Sequence, residues 1–325
     1  MMAIEERVEA VLRAGEAPNL HGLVVRRHGE VLVEHYGAGE DYRLGEALGH
    51  VTFDAATLHD VRSVSKSVVA LLYGIALKDG LVPVPGAGLV AQFPEYPDLV
   101  ADQSRAHLTI EHALTMTLGL DWDESVPYTS TANSELAMEE SPDRYRYVLE
   151  RPVVEEAGKR WSYCGGGTTL VGGIIARGAG RSLAEYAREV LFEPLGVGAF
   201  EWTTGDDGVP LAPAGLRLRP RDLATIGEMV LDGGRGIVPA EWLDEMLRPR
   251  VEIGANFAYG YHWYIDTGEP RKIGAHGNGG QRLFLDPSQG LVVAVTAGDY
   301  NDFGQPSTTA VMKAIEQDQE RRSSR

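Results

Sequence analysis

The chain has a single cysteine, Cys164, among its 325 residues. A lone thiol excludes an internal disulfide and any metal site built from paired cysteines. Basic residues are also scarce: 30 Lys and Arg stand against 47 Asp and Glu, giving a formal net charge of −17. That balance argues against nucleic acid as a partner, because binding a phosphate backbone takes clustered cations. An acidic surface is more simply a device for solubility. Long apolar runs are missing too. The most apolar stretch, residues 68–77, is too short to span a bilayer and is followed at once by Lys78, Asp79 and Gly80. Residues 1–12 read as an amphipathic helix carrying Glu5, Glu6, Arg7 and Glu9, without the basic start and apolar centre of a secretory signal. If this is the whole natural chain, a cytoplasmic location with no membrane partner is expected. Internal repeats and low-complexity linkers are absent.

What is present is an ordinary globular composition, 43% hydrophobic and 24% charged, long enough for one large domain or two closely packed ones. One stretch organises the rest: Ser63-Val64-Ser65-Lys66, running into an apolar segment that continues to Leu77. That segment is hydrophobic nearly all round a helix, so its axis is expected inside the protein, with Ser63 and Lys66 at the buried N-terminal end. Residues three apart share a helical face, with Cβ atoms roughly 5–6 Å apart. Burial and the positive end of the helix dipole both work against a charged lysine there, which would let the amine activate the serine. Ser-x-x-Lys also arises by chance, and Ser63 or Asp60 could serve merely as a helix cap. A lysine opening an apolar helix, however, is a poor choice for packing alone. Ser65 and Ser67 point elsewhere on the helix, and His107 and His112 lack the four-residue spacing that aims two imidazoles at one metal.

In chain order, residues 22–27 and 31–36 read as a hairpin, and 38–60 as a long connection of weak periodicity. Gly80 ends the central helix. Short helices and loops follow to about residue 156, including a helix over 108–114 capped by Thr109. The turn-rich segment 115–128 has the character of a pocket lip. Gly165-Gly166-Gly167 implies close backbone approach or positive φ angles, with helices over 170–176 and 183–191. Helices are expected again at 221–231 and 240–247. Residues 259–265 alternate like one half-buried strand, and 282–285 and 291–296 form a hairpin about the turn 286–290. A final helix over about 307–317 precedes a polar tail expected to fray. The fold class is therefore α/β: an antiparallel sheet flanked by helices, with a mainly helical second lobe. Residues 1–82 and 200–325 would form the sheet lobe and 83–199 the helical lobe, with the active site at their interface.

Ser63-x-x-Lys66, Tyr163-Cys164-Gly165 and His276-Gly277-Asn278 stand in an order that resembles the serine β-lactamase and penicillin-binding-protein superfamily. Within it the likeness is to class C-like serine hydrolases, of the 6-aminohexanoate-dimer hydrolase and esterase kind, over roughly residues 20–315. The resemblance implies a β-lactamase/transpeptidase-like fold and a serine hydrolase of carboxylesterase or amidase type. It needs no cofactor or metal and acts on a small-molecule ester or amide. Ser63 would form an acyl-enzyme, with Lys66 and Tyr163 as acid and base and the backbone N–H groups of Ser63 and Gly279 as the oxyanion hole. His276 and Asn278 would meet substrate, and Trp122, Tyr128 and Trp263 are candidates for the pocket wall. Two departures matter. Gly165 replaces the asparagine of Tyr-x-Asn, and His276 replaces the lysine of Lys-Thr-Gly, which removes the cation that would hold a β-lactam carboxylate. A β-lactamase, a D-amino acid peptidase or amidase, and a non-catalytic binding protein keeping the fold remain alternatives. Cys164 has no catalytic role in this reading, and His276 could equally only bond a loop.

Overall fold

The computed structural model describes residues 3–323. An eight-stranded sheet forms its centre, with each strand antiparallel to its neighbours, and both ends of the chain contribute to this one layer. After helix α1 (Ile4–Arg13), strands β1 (Leu20–Arg27) and β2 (Glu30–Tyr36) make the expected hairpin about a turn at His28 and Gly29. Residues 38–60 are not a plain connection. They form a hairpin of β3 (Ala38–Arg43) and β4 (Glu46–Thr52), then the short strand β5 (His59–Asp60). The β3–β4 hairpin pairs only with itself, and most of its side chains are exposed or half-buried, so no apolar alternation marks it in the sequence.

Helix α2 (Val64–Lys78) is buried along almost its whole length, as its composition requires, and Gly80 follows it with φ 69°. The chain then passes through α3 (Pro97–Val100), α4 (Ile110–Leu114), α5 (Ser134–Glu139), α6 (Arg144–Glu150), α7 (Gly165–Ala179) and α8 (Leu183–Ala187). Thr109 caps α4 as expected, its hydroxyl accepting from His112 N at 3.3 Å. The three glycines are the first turn of α7 and none has positive φ; close approach is what they provide. Beyond β6 (Glu201–Trp202) and β7 (Leu216–Leu218), which with β5 form a three-stranded sheet with β7 at its centre, come α9 (Pro220–Leu231) and α10 (Ala240–Met246).

The rest of the large sheet follows: β8 (Val251–Gly254), β9 (Phe257–Tyr259), β10 (Tyr264–Asp266), β11 (Lys272–Gly277), β12 (Gln281–Asp286) and β13 (Leu291–Ala297). Residues 259–265 are thus two strands joined by a tight turn, Tyr259 facing Tyr264, rather than one. His262 at φ 58° makes the reversal, and its N–H donates to Leu114 O at 3.0 Å. The final helix, α11 (Pro306–Ser323), runs further than expected; the last two residues of the anticipated tail lie outside the described residues.

Helices cover both faces of the sheet. α1 and α11 pack on one side, enclosing Val8, Leu23, Val25, Val293, Val295 and Ile315. On the other side α9 lies over β1, β12 and β13, and α2 meets β11 and β12, so one apolar core continues from the sheet through α2 into α4 and α7. With both faces covered, β13 is buried at every position and reads as a continuous apolar run. Burying an aliphatic side chain fully contributes about 1.5–3 kcal/mol, so this shared core fixes α2, and with it Ser63, against β11. No helix among the described residues is long and apolar enough to cross a membrane.

Candidate active site

Ser63 is the N-cap of α2, but its side chain makes no capping bond. Its hydroxyl instead meets Lys66, whose Nζ lies 3.1 Å from Ser63 Oγ one helical turn away. Lys66 is 1% exposed, as the sequence leads one to expect of a side chain opening a buried helix. It is not an isolated cation. Nζ also donates to Glu135 Oε2 at 3.1 Å and to the Pro213 carbonyl at 3.1 Å, two partners not foreseen from the sequence. Ser65 Oγ donates to Arg62 O and Ser67 Oγ to His262 O, so both neighbouring serines are occupied elsewhere, as their helical positions imply.

Tyr163, in the loop before α7, closes the other side. Its hydroxyl is hydrogen-bonded to the Ser63 side chain, and Lys66 Nζ stands 5.0 Å from the centre of its ring. Burial holds the phenol well above its usual range, with the Tyr264, Glu124 and Glu135 groups acting in the same sense, so it is protonated at neutral pH. Behind it, Glu124 Oε1 accepts from Trp122 Nε1 and from Gly165 N, each at 2.6 Å. Tyr128 Oη donates to Oε2 at 2.7 Å. Burial, then the charge of Glu135, pushes the Glu124 carboxyl up to about 8. Glu139, on the same helix as Glu135, is pushed up to about 8 for the same reasons.

The opposite wall is the end of β11. A Cβ on Gly277 would stand 2.5 Å from Val61 O and 3.0 Å from Arg62 Cβ, so only glycine lets the strand come this near the segment leading to Ser63. His276 stacks on Tyr264 at 4.5 Å between ring centres and is held down to about 3, chiefly by burial and then by Arg282; the imidazole is neutral. Asn278 exchanges its side-chain amide with Asn301: Nδ2 donates to Asn301 Oδ1 at 3.1 Å and Oδ1 accepts from Asn301 N at 2.8 Å. Gly279 bridges to Asp299 with φ 91°.

Between these walls lies a cavity of about 460 Å³. Ser63, Tyr163, Trp122, Tyr128, His276 and Asn278 all line it, so the structure brings together every expected side chain except Lys66, which sits beneath Ser63, and Trp263. Gly279 is not on the wall, whereas Gly277 and Asn278 are. Trp263 is fully buried and takes no part in the lining, while Trp161 and Tyr264, not named beforehand, do. The lining includes Asp123 and Glu124 but neither lysine nor arginine.

One group among the described residues has ligand-like atoms close enough for a metal ion: His21, Asp41 and His59, within 4.8 Å of one another. Its atoms already have partners. His59 Nδ1 donates to Asp60 O at 2.8 Å, which leaves Nε2 to accept from His21 Nδ1 at 2.9 Å. Asp41 Oδ2 accepts from Arg217 at 3.1 Å. Burial lowers His21 to about 4 and His59 to about 3, so the group is a neutral hydrogen-bonded pair beside a carboxylate and its guanidinium.

A hydroxyl facing a buried amine and a phenol at the floor of a cleft is suited to acyl transfer. Comparison with known proteins identifies the family. A 6-aminohexanoate-dimer hydrolase of Paenarthrobacter ureafaciens is 25% identical over 296 residues, covering 83% of this chain and 70% of that one. Esterase EstB of Burkholderia gladioli is 25% identical over 182 residues, 54% of this chain and 44% of its own. Among solved structures, EstCE1, described as a hydrolase with promiscuous acyltransferase activity, superposes with a TM-score of 0.78 at 17% identity, over 95% of this chain and 97% of that one. A family model described as Beta-lactamase matches residues 6–315. The chain belongs to the β-lactamase family and is a serine hydrolase.

Proposed function

We propose that the protein cleaves a small ester or amide through an acyl-enzyme on Ser63. The observation that carries this reading is the 3.1 Å approach of Lys66 Nζ to Ser63 Oγ at the base of an aromatic-lined cavity. Ser63 Oγ attacks the substrate carbonyl carbon and its proton passes to the Lys66 amine. Tyr163 then carries a proton to the leaving oxygen or nitrogen as the bond to carbon breaks. Water hydrolyses the acyl-enzyme by the reverse proton path, returning the proton to Ser63. The Ser63 N–H and an amide from the turn after β11 stabilise the oxyanion. Gly279 was the expected donor, and the position of Asn278 on the cavity wall favours the N–H one residue earlier.

Trp122, Tyr128, His276 and Asn278 form the substrate walls in this reading, with the helical segment 83–199 and the sheet segment as the two sides of the cleft. A wall holding the Asp123 carboxylate, a protonated Glu124, a neutral imidazole and no cation favours an uncharged or cationic acyl group over a carboxylate-bearing one. That weighs against β-lactams and for neutral esters and amides. The test is turnover of short-chain nitrophenyl esters and matched anilides by the wild type and by Ser63→Ala. Hydrolysis by the wild type alone supports the proposal. Equal rates from both proteins, or ligand binding without turnover in either, would point to a non-catalytic binding protein.

A further inference from the structure

We infer that Glu135 is the positioning residue for Lys66, and that Gly165 is bare because the Glu135 carboxylate occupies the volume a side chain there would need. The inference rests on the reading of Ser63 as nucleophile. A Cβ placed on Gly165 would lie 1.6 Å from Glu135 Oε2 and 2.6 Å from its Cδ. Real Cβ atoms do not approach so closely, so a side chain at 165 and the present carboxylate exclude one another. That same Oε2 is the atom bonded to Lys66 Nζ. The asparagine that the resemblance would put at 165 is therefore missing for a physical reason: a carboxylate from another helix stands in its place.

The geometry shows what the carboxylate does there. Nζ has three partners at 3.1 Å: Pro213 O, Glu135 Oε2 and Ser63 Oγ. The carbonyl oxygen accepts only, and so does the carboxylate, so each takes an N–H from the lysine. The remaining tetrahedral direction then faces Ser63. As an ammonium, Lys66 points its third N–H at Oγ; as an amine, it points its lone pair there. Glu135 and Pro213 thus aim the nitrogen at the nucleophile in either state, so no rotation is needed between proton transfers. Glu135 is itself held. Asn133 Oδ1 accepts from Glu135 N at 3.0 Å and from Leu136 N at 3.2 Å, while Asn133 Nδ2 donates to Val126 O at 2.9 Å. With Glu135 2% exposed, water cannot easily substitute for it.

The experiment is the rate at which a fluorophosphonate modifies Ser63, with thermal unfolding as a check on folding. Glu135→Ala is expected to slow modification about 100-fold, the lower range for a mispositioned acid–base group. Glu135→Gln, which keeps an acceptor oxygen, is expected to lose less. Gly165→Asn should lose activity alone by displacing the carboxylate. Glu135→Ala combined with Gly165→Asn should recover about tenfold over Glu135→Ala, a non-additivity expected only of groups that share one site. Gly165→Ala displaces the carboxylate without removing it, and so tests the inference even if Glu135→Ala does not fold. Folded single variants that react as fast as the wild type, or a double variant no faster than either single one, would overturn it. A wild type that does not react at all would instead refute the reading of Ser63 on which it rests.

Discussion

Gly277 lies so close to Val61 that a Cβ on it would meet the Val61 carbonyl at 2.5 Å, and that carbonyl is two residues before Ser63. Strand β11 can therefore face the nucleophile only while residue 277 has no side chain. Gly277→Ala should push the strand end outward, costing about 1–3 kcal/mol as overpacking does. The reaction of Ser63 should slow by a larger factor than the stability loss explains. Urea unfolding together with the labelling rate would check this; an unchanged rate would show that β11 does not set the oxyanion site.

With Lys66 as an ammonium, it and Glu135 are a buried ion pair, 1% and 3% exposed at the side chain. Breaking such a pair from one side leaves an uncompensated charge, whereas replacing both partners by groups of similar shape is far less costly. Lys66→Met should destabilise the protein by about 3–5 kcal/mol, while Ser63→Ala should leave stability nearly unchanged. Lys66→Met with Glu135→Leu should regain most of the lost stability with no recovery of activity. Chemical unfolding of the four proteins gives the answer, and additive losses would contradict the pairing.

How the site was built is only partly legible in the sequence, and the reason is visible in these residues. Ser63 and Lys66 are one helical turn apart, so local periodicity is enough to find them. Tyr163, His276 and Asn278 lie 97 or more positions downstream of Lys66, and only the motif order brings them in. Glu135, Glu124 and Pro213 belong to no motif and come from a short helix and two loops, where nothing periodic announces which side chain turns inward. The triple glycine was the available signal: bare positions at a helix start mean that something else fills the space. The α/β architecture and the β12–β13 hairpin were legible because burial writes apolar runs into them. The β3–β4 hairpin escaped because it buries too little to leave a pattern, and the turn at 260–263 because apolar residues continue through it.

Stability should peak near neutral pH, for opposing reasons on the two sides. His21, His59, His262 and His276 are held near 3 to 4 in the fold, mainly by burial, so each binds a proton more readily when unfolded. Their contribution is lost as pH falls from about 6.5 towards 3. Glu124 and Glu139 are raised to about 8, so the folded state holds protons there that the unfolded chain releases. Their contribution is present below about 4.5 and is lost as pH rises to about 8. Four histidines outweigh two carboxyls up to about pH 6.5, after which only the carboxyls act, so the melting temperature should be highest there and fall by pH 8.5. Glu139→Gln should flatten the alkaline decline. A melting temperature that climbs steadily to pH 8.5 would contradict the protonated state of Glu124 and Glu139.

Substrate charge provides a separate check on the cavity. Across an ester series of equal size, a cationic or neutral acyl group should give a higher kcat/KM than a carboxylate-bearing one, by about tenfold if each charge difference is worth near 1.4 kcal/mol at the wall. A chromogenic cephalosporin should turn over poorly. Preference for the anionic ester, or rapid cephalosporin hydrolysis, would refute the inference drawn from the acidic lining and the neutral His276.

The central claim is that Ser63 is an activated nucleophile and Lys66 its activator. Labelling with a fluorophosphonate, followed by mass spectrometry of the modified peptide, tests it most directly. A single adduct on Ser63, abolished in a folded Lys66→Ala protein, is the expected result. No adduct under conditions where another serine hydrolase reacts, or an adduct on Ser63 that forms equally fast without Lys66, would contradict the account.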